Sequence, residues 1–522
     1  MNQDDNLLDK ITYTANIGKI MQNTPGSLLP DGEVDTVAKD ASVKKKLCDQ
    51  DLASKIVHYF TLVALGILSW GVLWCAFGDG WRWDGQWFRL ASVAVVAWIT
   101  GHILEGFTTL PPLLAALLIG ILARHFGILD MRKYTQIDLF LRKIYPVIIL
   151  GKGSLAWDIS YMKTNWRRMI TLGILPWTME VATLAICTHL LLGFPWIWGF
   201  LLGTFYASVS CPVIMGAVQK SSKNSDSKQN WPQLICTAGG IDTALSVGVY
   251  GIIYSFMFYE SNDLYRYTKA ALSLFVGPAL GVIWGSLARF LPNSRDTYVT
   301  ELRVSFVLVA GLFANFFTSL VGWGGTGCVA VLACNSTAAK HWAHKGWKLN
   351  QNPAAKVYRV LWSSLEPILF AYTGTFFVMN RTTSDTMVIG LGILFICLTV
   401  RLFVTFLMSW DLTLKEKIFI CCCWMPKSIV EAVLAPMAIG TLMGLANRDD
   451  EMIYAEQLLQ LIVQAILITT PIGFLLTNNL GPLLLQNNSK PQPENDKSER
   501  LLPEEALKTD SAANQRSISE DF

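Results

Sequence analysis

Residues 239–253 read GGIDTALSVGVYGII, an apolar run about four helical turns long that carries one acid, Asp242, followed by a hydroxyl, Thr243. Whether that carboxylate is misplaced depends on the solvent around it. Of the 522 residues, 52% are hydrophobic and only 16% charged, a composition outside the soluble range. The chain reads as an all-α membrane protein. Its net charge of +3 is dispersed among loops and forms no basic patch, so a nucleic-acid partner is excluded and the lipid bilayer is the expected surround.

Windows of about 20 apolar residues fall at 53–77, 87–105, 110–128, 137–152, 167–192, 196–219, 234–259, 266–290, 303–321, 325–337, 357–379, 386–409, 416–445 and 455–478. These predict 13–14 transmembrane helices, the fourth and tenth short enough to be half-spans or bent. With the N-terminus inside, Lys and Arg favour the inner loops by about two to one, although the cluster at 124–133 runs against the rule. Both termini are therefore expected in the cytoplasm. Residues 1–52 are a polar segment with KKKL at 44–47 and no cleavable leader pattern, so the first span should stay in place. Residues 485–522 hold many Pro, Ser, Asp and Glu and few large apolar side chains, which predicts a disordered tail after a membrane domain at 53–484.

Most of the 11 cysteines lie inside spans and form no disulfide framework; the run Cys421-Cys422-Cys423 reads as small-residue packing. Asn380-Arg381-Thr382 matches a glycosylation sequon in a loop too short to favour its use. The six histidines show no ligand spacing within a span, and no metalloprotease-type motif occurs, so no enzyme and no cofactor is expected. Neither a short pore loop nor a repeated Arg ladder points to a channel.

Ionisable residues nevertheless interrupt the apolar runs: Glu180 in ILPWTMEVATLAI, Asp242, Arg401 in ICLTVRLFVTF, and Lys427 in CCCWMPKSIVEAV, with Glu431 one turn further on. Each costs about 2.5–3.5 kcal/mol at mid-membrane on insertion scales, so they should pair or line a wet cavity. Two spans are also broken. The sixth window ends FYASVSCPVIMGAVQK, with Ser208, Ser210, Cys211 and Pro212, and the thirteenth holds Pro426 and Pro436 in WMPKSIVEAVLAPMAIG. Proline removes a backbone donor, and freed groups survive at membrane depth only where protein or a water-filled site satisfies them. Interrupted spans at corresponding positions in two halves mark an inverted-repeat transporter.

Over residues 53–485 the chain resembles the cation/proton antiporter superfamily, in its animal sodium/hydrogen exchanger-like NHA branch. The matching stretches are TLPPLLAALLIGILAR, HLLLGFPWIWGFLLG, RLFVTFLMSWDLTLKEKIFI and WMPKSIVEAVLAPMAIG. The resemblance implies an inverted-repeat antiporter fold with two crossed broken helices, a core moving against a dimerisation scaffold, and a homodimer in the plasma membrane or an organelle membrane. It implies that Asp242, Thr243, Ser210, Cys211, Pro212 and Lys427 form the ion site. Protons and a monovalent ion would be exchanged there, with sodium at Asp242 the only metal involved. It further implies a Glu180–Arg401 charge pair, which leaves Lys427 as the expected partner of Asp242.

Two departures bear on function. The branch carries adjacent aspartates in a stretch like S-F-D-D, whereas here the second is Thr243; and the Ser-Pro of the first crossing helix becomes Ser210-Cys211-Pro212. If Asp242 is neutralised by a base, cation affinity falls, because neutral oxygens alone repay ion dehydration poorly. The leading expectation is a sodium or lithium/proton antiporter working by alternating access. A proton-coupled carrier of altered selectivity, for example for chloride, and a non-transporting paralogue stand as alternatives.

Overall fold

The computed structural model describes residues 54, 57, 58 and 60–486, except 224–228, 260–261, 294–295, 345, 348–351, 379–380 and 446–448. The polar segment 1–52, the tail from 487 onward and Asn380 of the sequon lie outside the described residues. Among those described the secondary structure is helical, without strands.

The chain divides between Arg89 and Leu90 into two compact units. In the first, α1 (Phe60–Trp81) is predominantly apolar, with Asp79 in its final turn. Trp70 stacks on Trp74 there and donates its indole N–H to the carbonyl of Trp81 at 2.8 Å, closing the last turn.

The second unit carries α2 (Gln86–Thr108), which begins at the boundary, α3 (Leu113–His125), α4 (Thr135–Ser154), α5 (Ile159–Thr164) and α6 (Trp166–Leu192). Next come α7 (Trp196–Tyr206), α8 (Cys211–Lys223), α9 (Trp231–Phe258), α10 (Asp263–Leu287), α11 (Val299–Leu320) and α12 (Thr326–Ala343). The chain continues through α13 (Pro353–Thr375), α14 (Arg381–Met408), α15 (Leu414–Cys423), α16 (Ile429–Leu442) and α17 (Asp449–Leu485). Each of the fourteen predicted windows coincides with one of these helices or with a broken pair. Among the described residues, nine spans are long and apolar enough by themselves to cross a membrane, α7–α8 counting as one of them. The windows on α4, α12 and α13 fall short of that standard because those helices carry polar side chains that they bury against neighbours, such as Asp138, Arg142, Asn335 and Thr373.

Local signals explain the helix starts. Asn230 accepts from the N–H of Gln233 and Pro232 sits in the first turn of α9. Thr413 and Glu416 form a capping box at α15. The two broken spans stop where the sequence predicts: Pro212 opens α8, where its missing N–H costs nothing, and Pro426 lies in the break between α15 and α16. Pro436 stays inside α16 and does not interrupt it.

Packing within the second unit sorts the helices into two groups. The core joins α6–α9 to α14–α17, with α6 against α14, α9 against α6, and α17 against α14. The scaffold pairs α3 with α13 and α10 with α12. Along α10, Gly277, Gly281 and Gly285 fall at four-residue spacing, and a Cβ on any of them would run into the carbonyl oxygen of Thr326, Ala330 or Cys334 on α12. That close approach is the small-residue helix contact of membrane proteins.

Candidate functional site

The two breaks meet in the middle of the core. The backbone N–H of Ser210 donates to the carbonyl of Pro426 at 2.8 Å, and the Ser210 and Ser428 hydroxyls lie 2.6 Å apart. Helix α17 braces the second break: Thr469 Oγ1 accepts from the Lys427 N–H at 3.1 Å, and Thr470 donates to the Lys427 carbonyl at 2.5 Å. Indoles secure the surroundings, with Trp177 donating to the Thr204 carbonyl and to Ser246 Oγ, and Trp424 to the Leu172 carbonyl. In this way several of the freed backbone groups find partners within the protein.

Arg401 is the hub. Its guanidinium is fully buried and donates to Glu180 Oε2 at 2.5 Å and to Asp242 Oδ2 at 2.7 Å. It also donates to the carbonyl of Trp424 at 2.9 Å and to that of Ala207. Those carbonyls cap the C-terminal ends of α15 and α7, where the helix dipole favours a cation. Lys427 Nζ likewise donates to the Tyr206 carbonyl at 2.6 Å, at the end of α7, and lies 2.7 Å from Glu180 Oε1.

The Glu180–Arg401 pair is therefore formed, while the expected Lys427–Asp242 pair is not. Asp242 is claimed by Arg401, and its other oxygen accepts the N–H of Val209 in the first break at 3.0 Å. The reason lies in shape: a planar guanidinium with five donors bridges two carboxylates and two carbonyls at once, whereas the single ammonium of Lys427 is drawn to the nearer helix end and to Glu180.

The remaining predicted site residues divide. Cys211 is buried and donates its thiol to the Ile235 carbonyl at 3.3 Å. The glycines that precede Asp242 permit this packing, since a Cβ on Gly239 would meet the Cys211 sulfur and one on Gly240 the indole of Trp157. Pro212 is exposed and serves the break through its backbone alone. Thr243 is half-buried and has no hydrogen-bond partner among the described residues.

Two features escaped the motif-based site. Glu431, noted as a charge but assigned no role, is 1% exposed and accepts the N–H of Ser428 at 3.0 Å; its signal is the S-I-V-E capping spacing at 428–431. Asp138 and Arg142 on α4 form a second buried pair at 2.7 Å, foreshadowed only by their four-residue spacing.

The family described as sodium/hydrogen exchanger, transmembrane, matches residues 90–478. Sodium/hydrogen exchanger 9B2 of Homo sapiens is 29% identical, the match covering 82% of this chain and 80% of that one. Sodium/hydrogen exchanger 9B1 of Homo sapiens is 27% identical over 81% of this chain and 82% of its own. Among solved structures, the sodium proton antiporter MjNhaP1 from Methanocaldococcus jannaschii superposes with a TM-score of 0.61 at 17% identity, covering 76% of this chain and 98% of that chain. An all-helical, multi-pass membrane chain, built around two broken helices that cross at a buried charge cluster, belongs to the sodium/hydrogen exchanger family.

Proposed function

We propose that the protein is a monovalent cation/proton antiporter, carrying sodium or lithium by alternating access of the core against the scaffold. It works as a homodimer with both termini in the cytoplasm, its membrane domain spanning 53–484. The observation that carries this reading is the crossing itself. Four half-helix ends, two hydroxyls and buried carboxylates converge at one point, the type of discontinuity at which transporters hold coupling ions. Chloride is less well served. An anion site needs an uncommitted base, whereas Arg401 donates to two carboxylates and helix-end carbonyls, and Lys427 donates to the Tyr206 carbonyl and is ion-paired with Glu180.

Purified protein in proteoliposomes with an imposed pH gradient tests the reading through sodium, lithium, potassium and chloride additions in turn. Cation-dependent proton movement is the expected result. Chloride coupling without cation coupling, or no coupled flux at all, overturns it. Thr243→Asp sharpens the outcome: the variant should alter apparent cation affinity in a protein that already transports. Sodium-dependent flux that appears only in the variant would show that the native chain lacks the activity.

A further inference from the structure

Three carboxylates are buried around the crossing, and their oxygens are unequally engaged. Asp242 has one oxygen on the Val209 N–H and the other on Arg401. Glu180 has one on Arg401 and the other 2.7 Å from Lys427 Nζ. Glu431 uses Oε2 for the Ser428 N–H, while its Oε1 is buried with no hydrogen-bond partner among the described residues. A buried acceptor left this way costs about 1–3 kcal/mol, more when charged, so its retention calls for an occupant.

Charge points the same way. With all five groups ionised, Asp242, Glu180 and Glu431 set against Arg401 and Lys427 leave one negative charge in excess, which a proton or a cation neutralises, and both bases are already bonded elsewhere. The ionisable groups around Glu431 supply no further partner. Lys427 precedes it in its own span, and Asp242 on α9 and Tyr206 on α7 lie within electrostatic reach. From the scaffold, Arg142 of α4 donates to the Ala432 and Val433 carbonyls and is paired with Asp138. Leu434, one turn beyond Glu431, lines a cavity of about 60 Å3 between core and scaffold, large enough for water.

We propose that Glu431 is the carboxylate on which the transported cation and the proton exchange, in place of an acid at position 243. The cation binds Oε1, with the hydroxyls of Ser428 and Ser210 as neutral oxygen ligands; the proton it displaces leaves to water. One positive charge, cation or proton, then balances the cluster in every loaded state, while Asp242 and Glu180 stay ionised and hold the crossing together. This assignment rests on the antiport reading.

The test compares wild type, Glu431→Gln and Glu431→Asp in the same proteoliposomes, with sodium-induced thermal stabilisation in detergent as an independent readout of binding. Glu431→Gln keeps the size and an acceptor for Ser428, and should lower cation-dependent proton flux by at least about tenfold and abolish the sodium-induced stabilisation. Glu431→Asp should retain flux with a shifted apparent KM for sodium and a shifted pH profile. If Glu431→Gln fails to fold, the Asp variant decides, and an unchanged KM and pH profile overturns the assignment. It is equally overturned if Glu431→Gln keeps flux within about twofold of wild type together with its sodium stabilisation. Absence of coupled flux from the wild type removes the antiport reading and this assignment with it, a result distinct from loss of Glu431 alone.

Discussion

Arg401 commits its donors to two carboxylates and to the final carbonyls of two half-helices, four acceptors drawn from four separate elements. Removing one member of a buried charge pair costs about 3–5 kcal/mol, because the partner is left desolvated and unpaired. Arg401→Leu should therefore lower the melting temperature more than any exposed substitution, with parallel loss of flux. Arg401→Lys should recover only a minor part of either, since an ammonium on a flexible stem cannot address a fork of four acceptors. A lysine variant with wild-type melting and flux would show that charge alone matters there. The buried charges themselves were legible in the sequence, because an acid or base in an apolar run stands out. Their pairing was legible only in part, through the resemblance that implied Glu180–Arg401: Glu180 is shared by Arg401 and Lys427 while Asp242 bonds to Arg401, and which pairs form depends on where the helix ends fall in space.

At the scale of elements, proline has two different effects in the same span. Pro426 lies in the break, whereas Pro436 sits within α16 and deprives the Ala432 carbonyl of its intrahelical donor. That carbonyl instead accepts from Arg142 of α4 at 2.7 Å and from Thr373 of α13 at 2.9 Å. A defect in a core helix thus becomes a polar contact with two scaffold helices. Arg142→Met should destabilise by about 3 kcal/mol or more, and adding Asp138→Asn should restore part of the loss because no unpaired carboxylate remains. Thermal melts of the two singles and the double give the coupling; strict additivity would mean the pair does not act as a unit. In the scaffold, Gly281→Leu should cost at least about 2 kcal/mol by forcing α10 off α12. Positions of the breaks were readable from proline and serine in otherwise apolar runs. The α4 contact was not, since its meaning depends on a carbonyl 290 residues further along the chain.

At the scale of the whole molecule, 76% of the chain shares the fold of MjNhaP1 at only 17% identity, as expected when a fold is set by the periodic burial of apolar faces more than by particular side chains. On the proposed alternating-access reading, core and scaffold move along their shared boundary, and the cavity lies on that boundary, with α9 and α16 on one wall and α4, α11 and α12 on the other. Cys328 of α12 lines that cavity and donates its thiol to Asn315 at 3.2 Å. If ions reach the crossing through this boundary, a small, positively charged methanethiosulfonate should inhibit flux through Cys328. Cys328→Ala should then resist the reagent at least about tenfold better than wild type, and sodium should change the labelling rate by shifting the populations of open and closed forms. Reaction at other cysteines, such as exposed Cys75, provides the internal control, because its labelling should continue in the variant. Equal inhibition of wild type and Cys328→Ala would place the ion path elsewhere and leave this cavity as a packing defect between two groups of helices.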